Sequence, residues 1–156
     1  MIHIVYLGLG SNLGDREATI LKAYEEIERL IGVIRRRSAF YYSEPWGFES
    51  AHAFVNTVVM VETSLPPRQL LRRTQQIERL LGKTKAHATE KPRSLVFSSK
   101  DSSSRLPIYH DRPIDIDILL YDDLTIDQPD LKIPHPLMQE RPFVMQPLNE
   151  VKGKSE

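Results

Sequence analysis

The chain contains 156 residues, with 21 basic and 21 acidic side chains and no cysteine. This length fits one domain with a substantial core. The neutral charge balance argues against a nucleic-acid partner or an anionic membrane surface. Without cysteine the chain can form neither disulfides nor thiolate-bound zinc sites, which fits a reducing compartment. The amino terminus has no signal-peptide pattern, and no apolar run approaches the ~20 residues of a membrane span. We therefore expect a cytoplasmic protein.

The first half of the chain predicts alternating strands and helices. Apolar periodicity and end signals predict a strand over residues 2–9, a helix over 15–31, strands over 33–42 and 54–62, and a helix over 64–82. Asp15 is the expected amino-terminal cap of the first helix, and Gly32 and Gly82 are the expected stops of the two helices. The three arginines at positions 35–37 are interpreted as a solvated charged edge of the second strand.

Two glycine-containing segments resemble phosphate-binding motifs without matching them. The segment over residues 8–15 comes close to a dinucleotide fingerprint, but Leu13 occupies the place of the third glycine. A tight turn between strand and helix is the favoured interpretation there. The segment over residues 82–84 resembles the end of a P-loop, but it follows a helix, and Ile77 stands where the earlier glycine would be. Neither segment therefore accounts for phosphate binding.

Residues 83–111 are the least regular part of the sequence and are rich in serine, lysine and arginine. A long segment without periodicity is either functional or disordered. Beyond it we predict a strand around residues 114–118, a brief strand over 124–126, a stiff Pro-His-Pro loop over 134–136 and a polar tail over 152–156. The fold class is therefore α+β. Its order is that of a ferredoxin-like β-α-β-β-α-β core with an additional carboxy-terminal strand, in one domain over residues 1–151.

The most informative segment of the chain is the run from Arg112 to Tyr121, in which isoleucines alternate with Asp115 and Asp117. This period of two is typical of a half-buried strand, so both carboxylates share one face, with their Cβ atoms roughly 6.5–7 Å apart. Oxygens at this spacing can converge on one or two Mg²⁺ ions, which proteins hold through one or two carboxylates together with substrate phosphates. Two acids on a solvated strand face are the alternative interpretation of an isolated Asp-x-Asp.

Several stretches together resemble the 6-hydroxymethyl-7,8-dihydropterin pyrophosphokinase family of folate biosynthesis. In chain order they are Tyr6–Asp15, Tyr41–Gly47 with Phe54–Asn56, Gln75–Arg79, Arg112–Leu120, and Ile133–Pro136 with Arg141–Phe143. The resemblance implies a transferase that moves the terminal pyrophosphoryl group of ATP to the hydroxymethyl group of the pterin and releases AMP. It also implies two Mg²⁺ ions, with ATP and 6-hydroxymethyl-7,8-dihydropterin as the partners.

The resemblance further implies a role for individual residues. The metal ligands are Asp115 and Asp117, and the catalytic set comprises these two acids with Lys83 and Arg112. The implied ATP-binding residues are Gln75, Glu78, Lys83, Lys85, Tyr109, Arg112, Ile118, His135 and Arg141. The implied pterin-binding residues are Ser43, Glu44, Pro45, Trp46, Phe54, Asn56 and Phe143. In this arrangement Phe54 and Phe143 lie on the two faces of the pterin ring and Asn56 reads its edge, which is a physically sensible pocket for a flat heteroaromatic.

The chain departs from the family pattern in its long basic segment. Lys83 and Lys85 stand where the family often places arginines, and lysine lacks the bidentate fork of arginine. The segment is also longer than the family pattern. We interpret residues 86–108 as a mobile lid that closes over ATP and excludes water. We expect the protein to be a monomer.

Two other functions fit parts of the sequence. A metal-dependent phosphodiesterase or nuclease would also use Asp115 and Asp117, and it would hydrolyse phosphodiesters without any pterin. A ferredoxin-like RNA-binding module would use the arginines at 35–37 and the basic segment, although neutral overall charge argues against it.

Overall fold

The computed structural model describes residues 1–12, 15–43, 54–86, 113–136, 138 and 142–153, apart from the side chains of residues 43, 83–86, 142, 143 and 153. The strands in this part of the chain are β1 (His3–Ser11), β2 (Gly32–Arg37), β3 (Tyr41–Ser43), β4 (Phe54–Thr63), β5 (Asp115–Tyr121), β6 (Ile126–Gln128) and β7 (Leu131–Ile133). The helices are α1 (Arg16–Leu30), α2 (Pro67–Ala86) and α3 (Pro142–Gly153).

The central strand of the sheet is β1, as its apolar sequence predicts. It pairs antiparallel with β4 on one side and with β5 on the other, while β2 and β3 both pair with β4. The resulting order β2-β4-β1-β5 is consistent with a ferredoxin-like fold, so the predicted α+β class is confirmed. The strands β6 and β7 form a separate two-stranded sheet where the sequence predicts a single short strand.

The sheet has two apolar clusters, one on each face. On the first face α1 and α2 bury residues such as Ile20, Ile27 and Leu70 against the sheet. On the second face Leu148 and Val151 of α3 pack with Val58 and Leu119 of the sheet. In this position α3 covers the middle of the second face. The candidate site lies on the same face, nearer the end of β1.

The helix ends follow local signals at both ends of α1, where Ile31 is the carboxy-terminal cap and Gly32 follows it, but not at the end of α2. Asp15 caps α1, because its Oδ1 accepts a hydrogen bond from the N–H of Ala18 at 3.2 Å. A Cβ at Gly32 would lie 2.0 Å from the carbonyl oxygen of Glu62, so this glycine is required by the close approach of β2 to β4. The prediction that α2 stops at Gly82 is wrong, since α2 continues to Ala86.

Three further strand and helix boundaries differ from the prediction. The single strand predicted over residues 33–42 is divided at Ser38, whose buried hydroxyl accepts from the N–H of Val58 at 3.0 Å and donates to the carbonyl of Ala39 at 2.7 Å. The strand β1 extends to Ser11, so Gly10, which the sequence assigns to a turn, lies in the sheet. The helix α3 was not predicted, and it runs two residues into the expected polar tail.

A helix glutamate binds the backbone of β2 and another binds the backbone of β5, which are the two ends of the strand order given above. Glu28 of α1 accepts a hydrogen bond from the N–H of Ile34 in β2 at 3.0 Å. Glu78 of α2 accepts one from the N–H of Ile116 in β5 at 2.7 Å. Both strands therefore have an outward backbone donor satisfied by a carboxylate.

The arginines of β2 make contacts within the molecule. Arg35 forms an ion pair with Glu62 at 3.1 Å, and the guanidinium of Arg37 lies 5.2 Å from the ring centre of Tyr24. Arg36 donates to the carbonyl of Val151 at 3.3 Å. The predicted edge position of this strand is confirmed, but its arginines are engaged within the fold. Over the described ranges, the structure contains no helix with the length and apolar character of a membrane span.

Candidate active site

Asp115 and Asp117 lie side by side on the second face of the sheet, as the alternation predicts. Both are partly exposed, whereas the isoleucines at 114, 116 and 118 are buried. Across the ladder Asp115 pairs with Gly10 of β1, and Asp117 pairs with Gly8. Residues directly opposite each other in antiparallel strands share a face, so both acids stand beside positions without a side chain.

Gly10 separates the acids from two residues assigned to the pterin. It pairs with Asp115 on one side and with Asn56 of β4 on the other. A Cβ on Gly10 would lie 3.0 Å from Oδ1 of Asn56 and 3.5 Å from Cδ1 of Phe54, so these two side chains lean over the glycine. Because β4 and β5 are two strand spacings apart, the two groups face each other over roughly 10 Å. Gly10 lies between the two acids on one side and Asn56 and Phe54 on the other.

The neighbouring glycine is covered by a different side chain. A Cβ on Gly8 would lie 3.3 Å from Cδ1 of Leu119, which packs with α3. Gly10 is therefore the glycine that borders both Asp115 and the two residues assigned to the pterin.

A pocket of about 340 Å³ lies beside Asp117, at the outer side of β5. Its walls come from β5, from α2 and from the β6–β7 sheet, and they include Leu71, Ile116, Asp117, Ile118, Leu131, Lys132 and His135. Nε2 of His135 lies 3.9 Å from Oδ2 of Asp117, and the backbone N–H of His135 donates to the carbonyl of Leu119 at 3.1 Å. Ile118 and His135, which are assigned to ATP, thus line the same pocket as Asp117, which is assigned to the metal.

Ion pairs fasten the wall of this pocket formed by β6 and β7. Arg68 of α2 binds both oxygens of Asp130 at 2.8 Å and also donates to Gln128. The hydrogen bond from Arg68 holds the pKa of Asp130 below its usual range. Lys132 likewise binds Asp127 at 2.7 Å and lowers the pKa of that carboxyl, again mainly through the hydrogen bond. Arg68 thus attaches the wall to α2 at the surface, while the pair of Lys132 and Asp127 joins the two strands of the wall.

The other assigned nucleotide residues of α2 have different surroundings. Gln75 is exposed, and Glu78 is partly exposed and bonded to the backbone of Ile116 between the two acids. The remaining assigned residues lie outside the described part of the structure: Glu44, Pro45, Trp46, Tyr109, Arg112, Arg141, and the side chains of Ser43, Lys83, Lys85 and Phe143. The lid interpretation of residues 86–108 also falls outside it.

The structure adds residues that sequence reasoning did not place in the site. Leu71, Leu131 and Lys132 are among the residues that line the pocket, and Gly10 lies between Asp115 and Asn56. The period-two alternation of leucine and glycine over residues 7–10 could have revealed Gly10 as a strand position. No local pattern indicates Leu71 or Lys132, because their role depends on the packing of α2 and of the β6–β7 sheet against β5.

The donor set suits magnesium held jointly with a substrate. Over the described residues, no three His, Cys, Asp or Glu side chains form a cluster able to enclose a metal ion. Asp115 and Asp117 supply hard carboxylate oxygens from one strand, and Asp117 lies at the rim of the pocket. Mg²⁺ in phosphate-transferring sites is typically bound by one or two carboxylates, with phosphates and water completing its octahedron. The residues present therefore fit this ion.

A carboxylate pair beside a pocket, with an amide and an aromatic ring on the other side of Gly10, fits an enzyme that acts on two substrates. The sequence profile described as 7,8-dihydro-6-hydroxymethylpterin-pyrophosphokinase (HPPK) matches residues 6–97 and 98–153. The chain belongs to this family. It is a transferase that moves pyrophosphate from ATP to hydroxymethyldihydropterin in folate biosynthesis, which confirms the function predicted from the sequence.

Two proteins of one name match the chain along most of their length, and a longer protein matches it along a part. The 2-amino-4-hydroxy-6-hydroxymethyldihydropteridine pyrophosphokinase of Porphyromonas gingivalis is 44% identical over 149 residues, covering 95% of this chain and 90% of that protein. The protein of the same name from Aquifex aeolicus is 39% identical, covering 94% and 79%. The Dictyostelium discoideum "Folic acid synthesis protein FOL1" is 36% identical over 96% of this chain, which spans 20% of that longer protein.

The likeness to solved structures concerns the fold. The crystal structure of Plasmodium falciparum HPPK-DHPS with pteroate matches with a TM-score of 0.66 at 18% identity, covering 96% of this chain and 38% of that chain.

Proposed function

We propose that the two substrates bind on opposite sides of Gly10 and react above it. The pterin lies on the β4 side, where Asn56 and Phe54 lean over the glycine. The ATP lies on the β5 side, in the pocket beside Asp117. The observation that carries this proposal is the register, in which Gly10 pairs with both Asn56 and Asp115.

Asp115 and Asp117 are the proposed ligands of magnesium, with two ions expected when ATP is bound. Magnesium bound there would neutralise charge on the phosphates and make the attacked phosphorus more electrophilic. The carboxylates fix the position of the triphosphate relative to the strand. In the pocket Ile118 and Leu131 provide apolar walls, and His135 and Lys132 offer donors towards a polyanion.

The pterin side of the proposal depends on shape and hydrogen bonding. An amide offers both a donor and an acceptor, so Asn56 can read the edge of a pterin ring, while Phe54 packs against its face. The hydroxymethyl oxygen then reaches over Gly10 towards the β-phosphorus. Positioning and charge neutralisation supply most of the rate in such transfers, and the substrate hydroxyl is itself the nucleophile.

The test is an assay of AMP release with ATP, Mg²⁺ and hydroxymethyldihydropterin. Asp115→Asn and Asp117→Asn remove one charge each with little change in shape, and we expect each to lower kcat/KM by about a hundred-fold or more. Asp123→Asn is the matched control, since this exposed acid follows β5 and lies away from the pocket. Wild-type turnover in either site variant would contradict the assignment.

The same assay separates transfer from hydrolysis. AMP release that does not depend on the pterin would indicate a metal-dependent hydrolase instead. The monomeric state and the lid over residues 86–108 stay predictions. Gel filtration tests the first, and hydrogen exchange with and without a non-hydrolysable ATP analogue tests the second.

A further inference from the structure

The short strand β3 supports the pterin side of the proposed site. It has only three residues and pairs with the first three residues of β4. In this ladder Tyr41 lies opposite Asn56, and Ser43 lies opposite Phe54. The backbone of β3 therefore helps to set the positions of both residues that lean over Gly10.

Two glutamates hold this strand from opposite faces of the sheet. The hydroxyl of Tyr41 donates to Oε1 of Glu150 in α3 at 2.7 Å. The hydroxyl of the next residue, Tyr42, donates to Oε2 of Glu17 in α1 at 2.7 Å. Successive strand residues point to opposite faces, so adjacent tyrosines reach helices on the two sides of the sheet.

Glu150 makes the more extensive of these two contacts. Besides Tyr41, it accepts from the backbone N–H of Ala39, at 3.2 Å to Oε1 and 3.1 Å to Oε2. The following residue, Val151, accepts through its carbonyl from Arg36 at 3.3 Å. The carboxyl end of α3 is thus bonded to the end of β2, to the β2–β3 connection and to β3. The hydrogen bond to Glu150 also raises the pKa of Tyr41 above its ordinary value.

We propose that Glu150 is a positioning residue for the pterin substrate. It fixes Ala39 and Tyr41, these fix β3 against β4, and β4 carries Asn56 and Phe54. This inference rests on the proposed pterin site. Among the described residues that line the pocket beside Asp117, none comes from β3 or α3, so we expect Glu150 to affect the KM for the pterin and not the KM for ATP.

The experiment compares Tyr41→Phe, Glu150→Ala and Glu150→Gln with the wild type. We expect the first two to raise the KM for hydroxymethyldihydropterin about ten-fold, with kcat and the KM for ATP within about two-fold of wild type. Glu150→Gln keeps an oxygen that accepts from Tyr41, and it should recover at least half of this loss on a logarithmic scale. Asn149→Ala is the matched control, because this exposed neighbour on α3 should leave both KM values unchanged.

Hydrogen exchange gives a readout that does not depend on turnover. Loosening of β3 should speed the exchange of the backbone amides of β3 and of the paired residues 54–56 in Tyr41→Phe and Glu150→Ala, but not in Asn149→Ala. Tyr41→Phe removes a single oxygen, so it gives the result even where Glu150→Ala does not fold.

The outcomes separate this inference from the site proposal. A wild-type enzyme without pterin-dependent AMP release would reject the proposed site. A normal wild-type enzyme, together with an unchanged pterin KM in Tyr41→Phe and Glu150→Ala, would reject the role of Glu150 alone. A parallel rise of the KM values for both substrates would also overturn it, since that result indicates a general structural defect.

Discussion

Glu78 offers the sharpest test of how α2 supports the carboxylate strand. Its Oε2 accepts from the N–H of Ile116 at 2.7 Å, and Ile116 stands between the two proposed metal ligands. Ile116 is only 5% exposed, so water cannot easily replace the carboxylate of Glu78 at its N–H. We predict that Glu78→Ala destabilises the protein even when no nucleotide is present.

The size of the effect follows from the kind of bond that is lost. A hydrogen bond to a charged group contributes about 1.5–3 kcal/mol, and a buried donor left unpaired costs a similar amount. We therefore expect Glu78→Ala to lower the free energy of unfolding by about 2 kcal/mol. Glu78→Gln retains an acceptor oxygen and should cost about 1 kcal/mol or less. Urea unfolding in nucleotide-free buffer measures both values.

The opposite edge of the sheet provides the control for this prediction. Glu28 binds the N–H of Ile34 in the same way at 3.0 Å, but Ile34 is less buried. Water can solvate that donor after Glu28→Ala, so a loss below about 1 kcal/mol is expected. If Glu78→Ala were as stable as the wild type, the hydrogen bond from Ile116 to Glu78 would not contribute to the free energy of unfolding, and Glu78 would not stabilise β5.

Four more predictions follow from buried positions. Gly10→Ala should raise the pterin KM about ten-fold at unchanged ATP KM, because the new Cβ would meet Oδ1 of Asn56 at 3.0 Å; an unchanged pterin KM would place the ring elsewhere. Ser38→Ala should lower the free energy of unfolding by about 1–3 kcal/mol, since it leaves a buried backbone N–H of β4 unpaired. Ser11→Ala should lower the free energy of unfolding by less than about 0.5 kcal/mol in the same urea titration, because the buried hydroxyl of Ser11 has no partner within the described residues. Equal losses of stability in Ser11→Ala and Ser38→Ala would contradict this reasoning. Burial raises the pKa of Tyr24 above the ordinary 10.0, so the unfolded chain releases this proton first and stability falls as pH rises from there towards the folded pKa. Unfolding measured up to about pH 11 should show a shallower fall for Tyr24→Phe than for the wild type.

The sequence predicts most of the sheet because its strands have clear periods. Alternation of isoleucine with Asp115 and Asp117 places both acids on one face, and the structure confirms this. The cap at Asp15 is also local, since it depends on one side chain and an N–H three residues later. Such features need no knowledge of distant parts of the chain.

Other features depend on contacts between distant segments and escape a local reading. The division of the second strand requires Ser38 to bond with Val58, twenty residues away. The helix α3 contains Pro147 and begins with Pro142, which obscures its periodicity although its apolar side packs on the sheet. The β6–β7 wall likewise depends on Arg68 of α2, which no local pattern connects with it.

The carboxylates of Glu28 at β2 and Glu78 at β5 also affect pairing of the sheet with strands of other chains. An outer strand with free backbone donors is a template for pairing with a strand of another chain. Here an incoming strand would have to displace Glu28 from Ile34 or Glu78 from Ile116, and bring its own backbone close to a negative charge. At β2 and at β5 a bound carboxylate therefore opposes the addition of a strand from another chain at one backbone donor of each strand.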